Sequence, residues 1–483
     1  MEAVTLSEFL SSINILAVTL TLSWLVMLWD MYLASRQRRV TLNTRRVPAD
    51  LREMISTEVF EKSRHYSLDK SSFGFYKTLY SQIEMTLFLY YGILPYVWEY
   101  SVDLCIRYDF DVTSEIWPSL VFTTLLSLWS LVIGQPWSLY HTFVLEEKYG
   151  FNKQTLRFYI KDTLKKLVLT LVLSYIVVAV LIYIIMNGGD YFFIYAWLFV
   201  FLFSMFIVFI YADFIAPLFD KFTPLPDGEL KTAIEALASS VNFPLKKLFV
   251  VEGSVRSAHS NAYFYGFYKN KRVVLFDTLL EDNPLTQKEK ESENTDDQKS
   301  DIAAETTKEE SVEQKSKESD KNWHKNQIKG CTNDEVVAIL SHELGHWKFN
   351  HNLKNIVLAQ INIFICFYGL NLLIKENAIY TSFGFSSQPV LIGLIIVFEY
   401  IYAIYNEVFG FFMTALGRKF EFEADRYAKE MGKANLLSVG LIKLHEDNLS
   451  FPVVDRLYSA FNYSHPPLLE RLKELRKSSK KSD

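Results

Sequence analysis

LVLTLVLSYIVVAVLIYIIM, residues Leu167 to Met186, runs for 20 residues without a charged side chain. As a helix this stretch reaches about 30 Å, the thickness of a bilayer's hydrocarbon core. Similar stretches lie at Phe9–Leu33, Met85–Val102, Leu120–Leu145, Tyr191–Ile215, Ile356–Ile374 and Val390–Met413. The pattern predicts a mainly α membrane protein with seven transmembrane helices. Pro95, Pro136 and Glu399 interrupt the second, third and seventh of them. Buried helices of a soluble core are the competing reading, but core helices seldom sustain so long an uncharged run.

The rest of the composition agrees. Half of the 483 residues are hydrophobic and 16% are aromatic. No basic stripe stands clear of a membrane segment, which disfavours a nucleic-acid partner and leaves membrane lipid as the environment. Cys105, Cys331 and Cys366 are too scattered for a zinc ribbon or a disulfide framework.

Charge gives the orientation. The leading MEAVTLSE is acidic, unlike a signal peptide, and the positive cluster at Arg36, Arg38, Arg39, Arg45 and Arg46 follows the first span. The N-terminus is therefore expected outside the cytosol. Alternating from there, the acidic loop Asp103–Glu115 is lumenal. The loop Glu146–Lys166 is cytosolic, with Lys148, Lys153, Arg157, Lys161, Lys165 and Lys166 against three acids. The expected division is residues 1–215 for five membrane helices, 216–353 for a soluble domain, 354–413 for two further helices and 414–483 for a helical C-terminal part. The two soluble pieces fall on the cytosolic side. Lys480-Lys481 near the C-terminus has the form of an endoplasmic-reticulum retrieval signal. The sequons at Asn448 and Asn462 lie on the cytosolic side and are expected to carry no glycan.

Within 216–353, Asp227–Val241 has helical periodicity, with Leu230, Ile234, Leu237 and Ala238 on one face. Lys247–Val251 and Arg272–Phe276 read as strands, and the aromatic Asn261–Gly266 lies between them. A sheet of two or three strands is expected. From 281 to 322 the chain is dominated by Lys, Glu, Asp, Ser, Thr and Gln without an aromatic residue, which predicts a disordered insertion.

The chemistry is carried by His342-Glu343-Leu344-Gly345-His346. Thr332-Asn-Asp-Glu335 is a capping box that starts its helix. Residues four apart share a helical face, so His342 and His346 can hold one metal ion. Glu343, one step round, can take a proton from a zinc-bound water. Structural zinc prefers four closed ligands, often cysteine, and no cysteine pair is near. One catalytic Zn2+ per chain is expected. Glu421-Phe-Glu-Ala-Asp425 supplies a third ligand in Glu421, with Asp425 orienting a ligand imidazole and Glu423 solvated. Two spans separate His346 from Glu421, so both return to one side of the membrane. His465, before Pro466-Pro467, is a candidate donor to the oxyanion of a tetrahedral intermediate.

Several long motifs in fixed order resemble one family, the type I CAAX prenyl proteases, which are integral-membrane gluzincins. They are LEEKYGFNK at Leu145–Lys153, FTPLPDGEL at Phe222–Leu230, HSNAYF at His259–Phe264, VLFDTL at Val274–Leu279, the HELGH helix, EFEAD at Glu421–Asp425 and SHPP at Ser464–Pro467. The resemblance covers nearly the whole chain. It implies a barrel of seven transmembrane helices around a water-filled chamber, capped on the cytosolic side by the protease domain. Glu399, Asn406 and Glu407 would then face a wet interior. It also implies that His342, His346 and Glu421 ligate zinc, that Glu343 is the general base and that Asp425 is a further active-site acid. Asn261 and His465 would lie near the substrate carbonyls. The substrate would be a prenylated protein or peptide ending in a CAAX sequence, cleaved of its last three residues. Its extended tail would add as a strand beside the edge of Asn261, Ala262 and Tyr263. A membrane quality-control protease with no prenyl requirement, and a non-enzymatic channel or scaffold, are the alternatives.

Overall fold

A computed structural model describes residues 5–266, 271–281 and 330–477. The predicted insertion beyond Glu281 and the Lys480-Lys481 tail lie outside the described residues.

Among the described residues, five helices are long and apolar enough to cross a membrane: Ile15–Asn43, Ile116–Glu146, Leu156–Asn187, Gly189–Leu218 and His351–Leu373. A pair bent by 57°, Val390–Ile401 and Ala403–Glu430, is together long and apolar enough for one further crossing. The second expected span, Met85–Val102, is divided between helices Thr57–Tyr90 and Ile93–Arg107. The cause is local. Gly92 sits at φ 62° in the left-handed region, and Pro95, in the first turn of the next helix, has no N–H to offer to the preceding one. The N-terminal stretch also divides, into Leu6–Ser12 and Ile15–Asn43, with the Asn14 side chain capping the second helix.

Only 6–17% of the most apolar window of each of the five crossing helices is buried within the protein. Such helices are exposed on two sides, to lipid and to interior space. Apolar clusters hold them at their ends. One joins Leu94, Trp98, Phe122, Ile182, Phe192, Ile379 and Ile392. The other joins Phe60, Tyr66, Leu145 and Phe151 to the soluble part through Val250, Leu275, Ala338 and Leu441. A cavity of about 1120 Å³ extends from Phe122 and Leu391 to Asp162 and Arg256. Thr123, Ser127, Ser130 and Ser138 line it from one helix, and Thr163, Thr170 and Ser174 from the next. Hydroxyls at that depth belong beside water rather than lipid.

The soluble part carries a four-stranded sheet: β1 (Phe222–Pro224), β2 (Leu245–Val251), β3 (Ala262–Tyr265) and β4 (Lys271–Phe276), in the order β1-β2-β4-β3. The segments read as strands from sequence are β2 and β4; β3 falls in the aromatic stretch between them, and β1 is an addition, too short at three residues to show a pattern. Among the described residues β3 pairs antiparallel with β4 only, so its other side is an edge of the described sheet. The helix Asn333–Lys348, started by the reciprocal capping box of Thr332 and Glu335, lies beside β3 and crosses Ala403–Glu430.

That crossing is close because Gly345 has no side chain. A Cβ there would stand 2.9 Å from Ala424 Cα, inside any normal contact. Small residues on both helices bring the faces of His342, His346 and Glu421 together. Glu421 sits on a continuous helix from Ala403 to Glu430 that begins inside the expected seventh span.

Candidate metal centre

The His342 and His346 imidazoles point their Nε2 atoms at one another, 3.2 Å apart. Glu421 Oε1 lies 3.2 Å from His346 Nε2, and Glu421 Oε2 lies 3.4 Å from His342 Nε2. One ligand atom from each of the three residues falls within 4.8 Å of the others. His342 and Glu421 are buried, at 5% and 4% exposure.

The Nδ1 atoms are occupied from behind. Asp425 Oδ1 stands 2.9 Å from His342 Nδ1. His351 Nδ1 stands 3.0 Å from His346 Nδ1. With both Nδ1 atoms bonded, the two Nε2 lone pairs and a carboxylate face one buried point. Glu421 Oε2 has no partner in hydrogen-bonding geometry among the described residues, although His465 Nδ1 at 3.0 Å and Arg471 Nη1 at 3.5 Å crowd it. Lone pairs and anionic oxygen at that spacing repel unless protons or a cation lie between them. Two imidazoles and one carboxylate are a donor set suited to zinc with a position left open.

The electrostatics agree. Burial and Arg471 push the His342 imidazolium down, but the Asp425 and Glu421 carboxylates outweigh them and hold it up at about 9. Burial pushes the Glu421 carboxyl up, yet the imidazoles of His342, His346 and His465 hold it well below the ordinary carboxylate range. Without a cation these groups share protons; a divalent ion takes their place. Burial raises the Glu343 carboxyl, opposed by His342 and His346. Apolar neighbours Leu237, Phe243 and Phe264 stand around it.

Arg471, 8% exposed, completes the cluster. Its Nε donates to Asp425 Oδ2 at 2.9 Å and its Nη2 to Oδ1 at 2.6 Å. Asp425 is fully buried, and Arg471 and His342 together overcome the burial that would raise its carboxyl. Glu423, expected to be solvated, is only partly so: its side chain keeps 26% exposure, but its Oε2 lies 3.0 Å from His351 Nε2. The correction follows from the chain reversal after Lys348, which swings His351 back against the EFEAD helix.

His465 is exposed and shares a cleft of about 950 Å³ with Asn261, Asn448 and Arg471. The Asn261 side chain accepts from the Ala262 N–H at 2.8 Å, and its carbonyl accepts from Phe276 N–H at 3.0 Å. The Ala262 side chain is buried in the core and Tyr263 is half-buried, so both offer a ligand mainly the β3 backbone. Asn448 fixes the approach to that strand, accepting from Ser260 N–H at 3.1 Å and donating to Ser260 O at 3.3 Å.

Residues 224–479 match the peptidase family M48 model, and 37–221 match a CAAX prenyl protease N-terminal model described as five membrane helices. The chain belongs to peptidase family M48. It is a multi-pass membrane metalloprotease whose metal is zinc. The chain is similar to the CAAX prenyl protease 1 homolog of Mus musculus, at 51% identity over 97% of both chains. It is 34% identical to CAAX prenyl protease 1 of Saccharomyces cerevisiae over 92% of both. The crystal structure of S. mikatae Ste24p matches with a TM-score of 0.80 and 33% identity, covering 96% of this chain and 99% of that one.

Two residues of this M48 site escape the sequence reading. Arg471 had a signal: it falls on the apolar face of Leu468, Leu472 and Leu475, an odd place for an unpaired cation. His351 had a weaker one, since its position depends on Asn350 adopting φ 55°.

Proposed function

We propose that this chain is a zinc endopeptidase that removes the last three residues from prenylated CAAX proteins at the endoplasmic-reticulum membrane, its active site facing the cytosol. The observation that carries the reading is the opposed Nε2 pair closed by Glu421, in a chain half identical over nearly its full length to proteins named for CAAX prenyl proteolysis. Support for the orientation is the excess of lysine in 146–166 and the acidic loop 103–115. The proposed division keeps membrane helices in 1–215 and 354–413 and the protease in 216–353 and 414–483.

In this reading His342, His346 and Glu421 hold zinc. Bound zinc supplies Lewis acidity toward the scissile carbonyl and the attacking water. Glu343, its carboxyl raised by burial, takes the proton from that water and delivers it to the nitrogen of the leaving peptide as the C–N bond breaks. Asp425 holds the His342 ring through Nδ1, and Arg471 holds Asp425. His465 donates to the developing oxyanion at the mouth of the cleft. The substrate tail adds to the free side of β3, with Asn261 at its head and the Ala262 and Tyr263 backbone beside it. The prenyl chain stays in the apolar surroundings of the membrane helices.

Cleavage of a farnesylated CAAX peptide by the purified full chain, against its unprenylated twin, tests this. Faster release of the tripeptide from the farnesylated peptide is expected, and loss of both with a chelator. Equal rates on the two peptides would defeat the prenyl requirement and leave a general membrane protease.

A further inference from the structure

His351 is 1% exposed and lies five residues beyond His346. Helix Asn333–Lys348 ends, the chain turns through Phe349 and Asn350, and the next helix begins at His351. The left-handed Asn350, at φ 55°, folds the new helix back so that the His351 ring meets His346. The ring is packed flat on Phe420, centroids 4.1 Å apart and planes within 8°. Its Nδ1 is 3.0 Å from His346 Nδ1, and its Nε2 is 3.0 Å from Glu423 Oε2.

The proton positions follow. A carboxylate can only accept, so His351 Nε2 carries hydrogen toward Glu423. In the neutral ring, His351 Nδ1 is then a lone pair. Its partner at 3.0 Å must donate, so His346 carries its hydrogen on Nδ1. The opposite assignment would place the His346 hydrogen on Nε2, the atom that faces His342 and Glu421, and would block it as a ligand.

We propose that Glu423 and His351 form a relay that fixes the tautomer and ring orientation of His346, leaving its Nε2 free for zinc. His346 is thereby supported by a histidine backed by a carboxylate, whereas His342 is supported by Asp425 directly. His351 and Glu423 are positioning residues that act through His346. The proposal rests on the zinc reading above.

The test is the zinc affinity of the full chain in detergent, by competition with a chromophoric chelator at one near-neutral pH, independent of proteolysis. His351→Phe keeps the ring on Phe420 and removes the acceptor. His351→Asn gives up the ring but sets a carbonyl oxygen where Nδ1 stood. The phenylalanine variant should bind zinc about 10–100-fold more weakly, and the asparagine variant should recover most of that loss. Glu423→Leu should weaken zinc in the same direction, with Glu423→Gln closer to wild type because its oxygen still accepts. Wild-type affinity in His351→Phe, or equal losses in both His351 variants, overturns the relay and leaves His351 a packing residue. Absence of zinc binding by the wild-type chain overturns the metal reading along with it.

Discussion

Replacing Arg471 by methionine tests whether the metal centre is held by charge compensation from the C-terminal helix. The guanidinium makes a two-pronged contact with Asp425 at 2.6 and 2.9 Å and lies 3.5 Å from Glu421. Asp425 has no exposed surface. In Arg471→Met it keeps only the His342 Nδ1 contact at 2.9 Å and becomes a buried, half-compensated anion. Removing one member of a buried pair typically costs about 3–5 kcal/mol. For a chain of 483 residues, with an unfolding entropy of about 2 cal/mol/K per residue, that lowers the midpoint of thermal unfolding by about 3–5 °C. Arg471→Lys restores a point charge without the fork and should fall between. Arg471→Met combined with Asp425→Asn removes the stranded charge and should regain part of the loss. The assay is a thermal melt of the zinc-loaded full chain in detergent. A single variant that melts within about 2 °C of wild type, or a double variant no more stable than the single, refutes the compensation argument.

Three further outcomes are expected. Glu343→Gln should retain one zinc by metal analysis yet lose at least about 100-fold in cleavage rate, because the proton acceptor is gone while the ligands remain. Gly345→Ala should cost about 1–3 kcal/mol and weaken zinc binding together, since the new methyl stands 2.9 Å from Ala424 Cα and pushes the Glu421 helix away; melting and metal competition read both. Glu446, raised to about 7 by burial and by Asp447 beside it, is more easily protonated folded than unfolded. Its stabilising contribution is therefore full below about 4.5 and lost as pH rises to about 7; Glu446→Gln should be more stable than wild type by roughly 1–3 kcal/mol at pH 8, with the difference vanishing at pH 4.

The membrane character, the HELGH helix and the EFEAD segment were legible because each has a strong local signature: long uncharged runs, a capping box, and donors at helical spacing. The division of the second span was less legible, because the decisive feature is the backbone of Gly92 rather than hydropathy. The surroundings of the metal depend on contacts across long sequence separations. Arg471 lies 129 residues from His342, and Glu423 lies 72 residues from His351. Periodicity placed Glu423 off the Glu421–Asp425 face correctly, but it could not reveal that another helix waits there. Asn448 illustrates the same limit. Its sequon is a surface motif by composition, whereas in the fold its amide is committed to the backbone of Ser260.

The placement of the donors also explains why the centre belongs to a membrane protein. His346 is separated by four residues from a helix, His351–Leu373, that is apolar enough to cross the bilayer. Glu421 lies on the helix that continues from the bent crossing at Val390–Ile401. Both elements that carry the proposed ligands are thus extensions of membrane helices, on the cytosolic side in the proposed orientation, and meet at the contact of Gly345 with Ala424. The first membrane helix adds a third tie, since Arg36 donates through Nε and Nη2 to the two oxygens of Asp455, each at 3.0 Å, just ahead of the helix that leads to His465. Geometry at the proposed metal site is therefore tied to how the membrane helices pack, which under the proposed function would hold the reacting bond at a fixed height above the lipid. A substrate anchored by its own lipid near its C-terminus presents its final residues at a similarly fixed height. Matching those two heights reduces the search for the cleavable bond from three dimensions to the plane of the membrane.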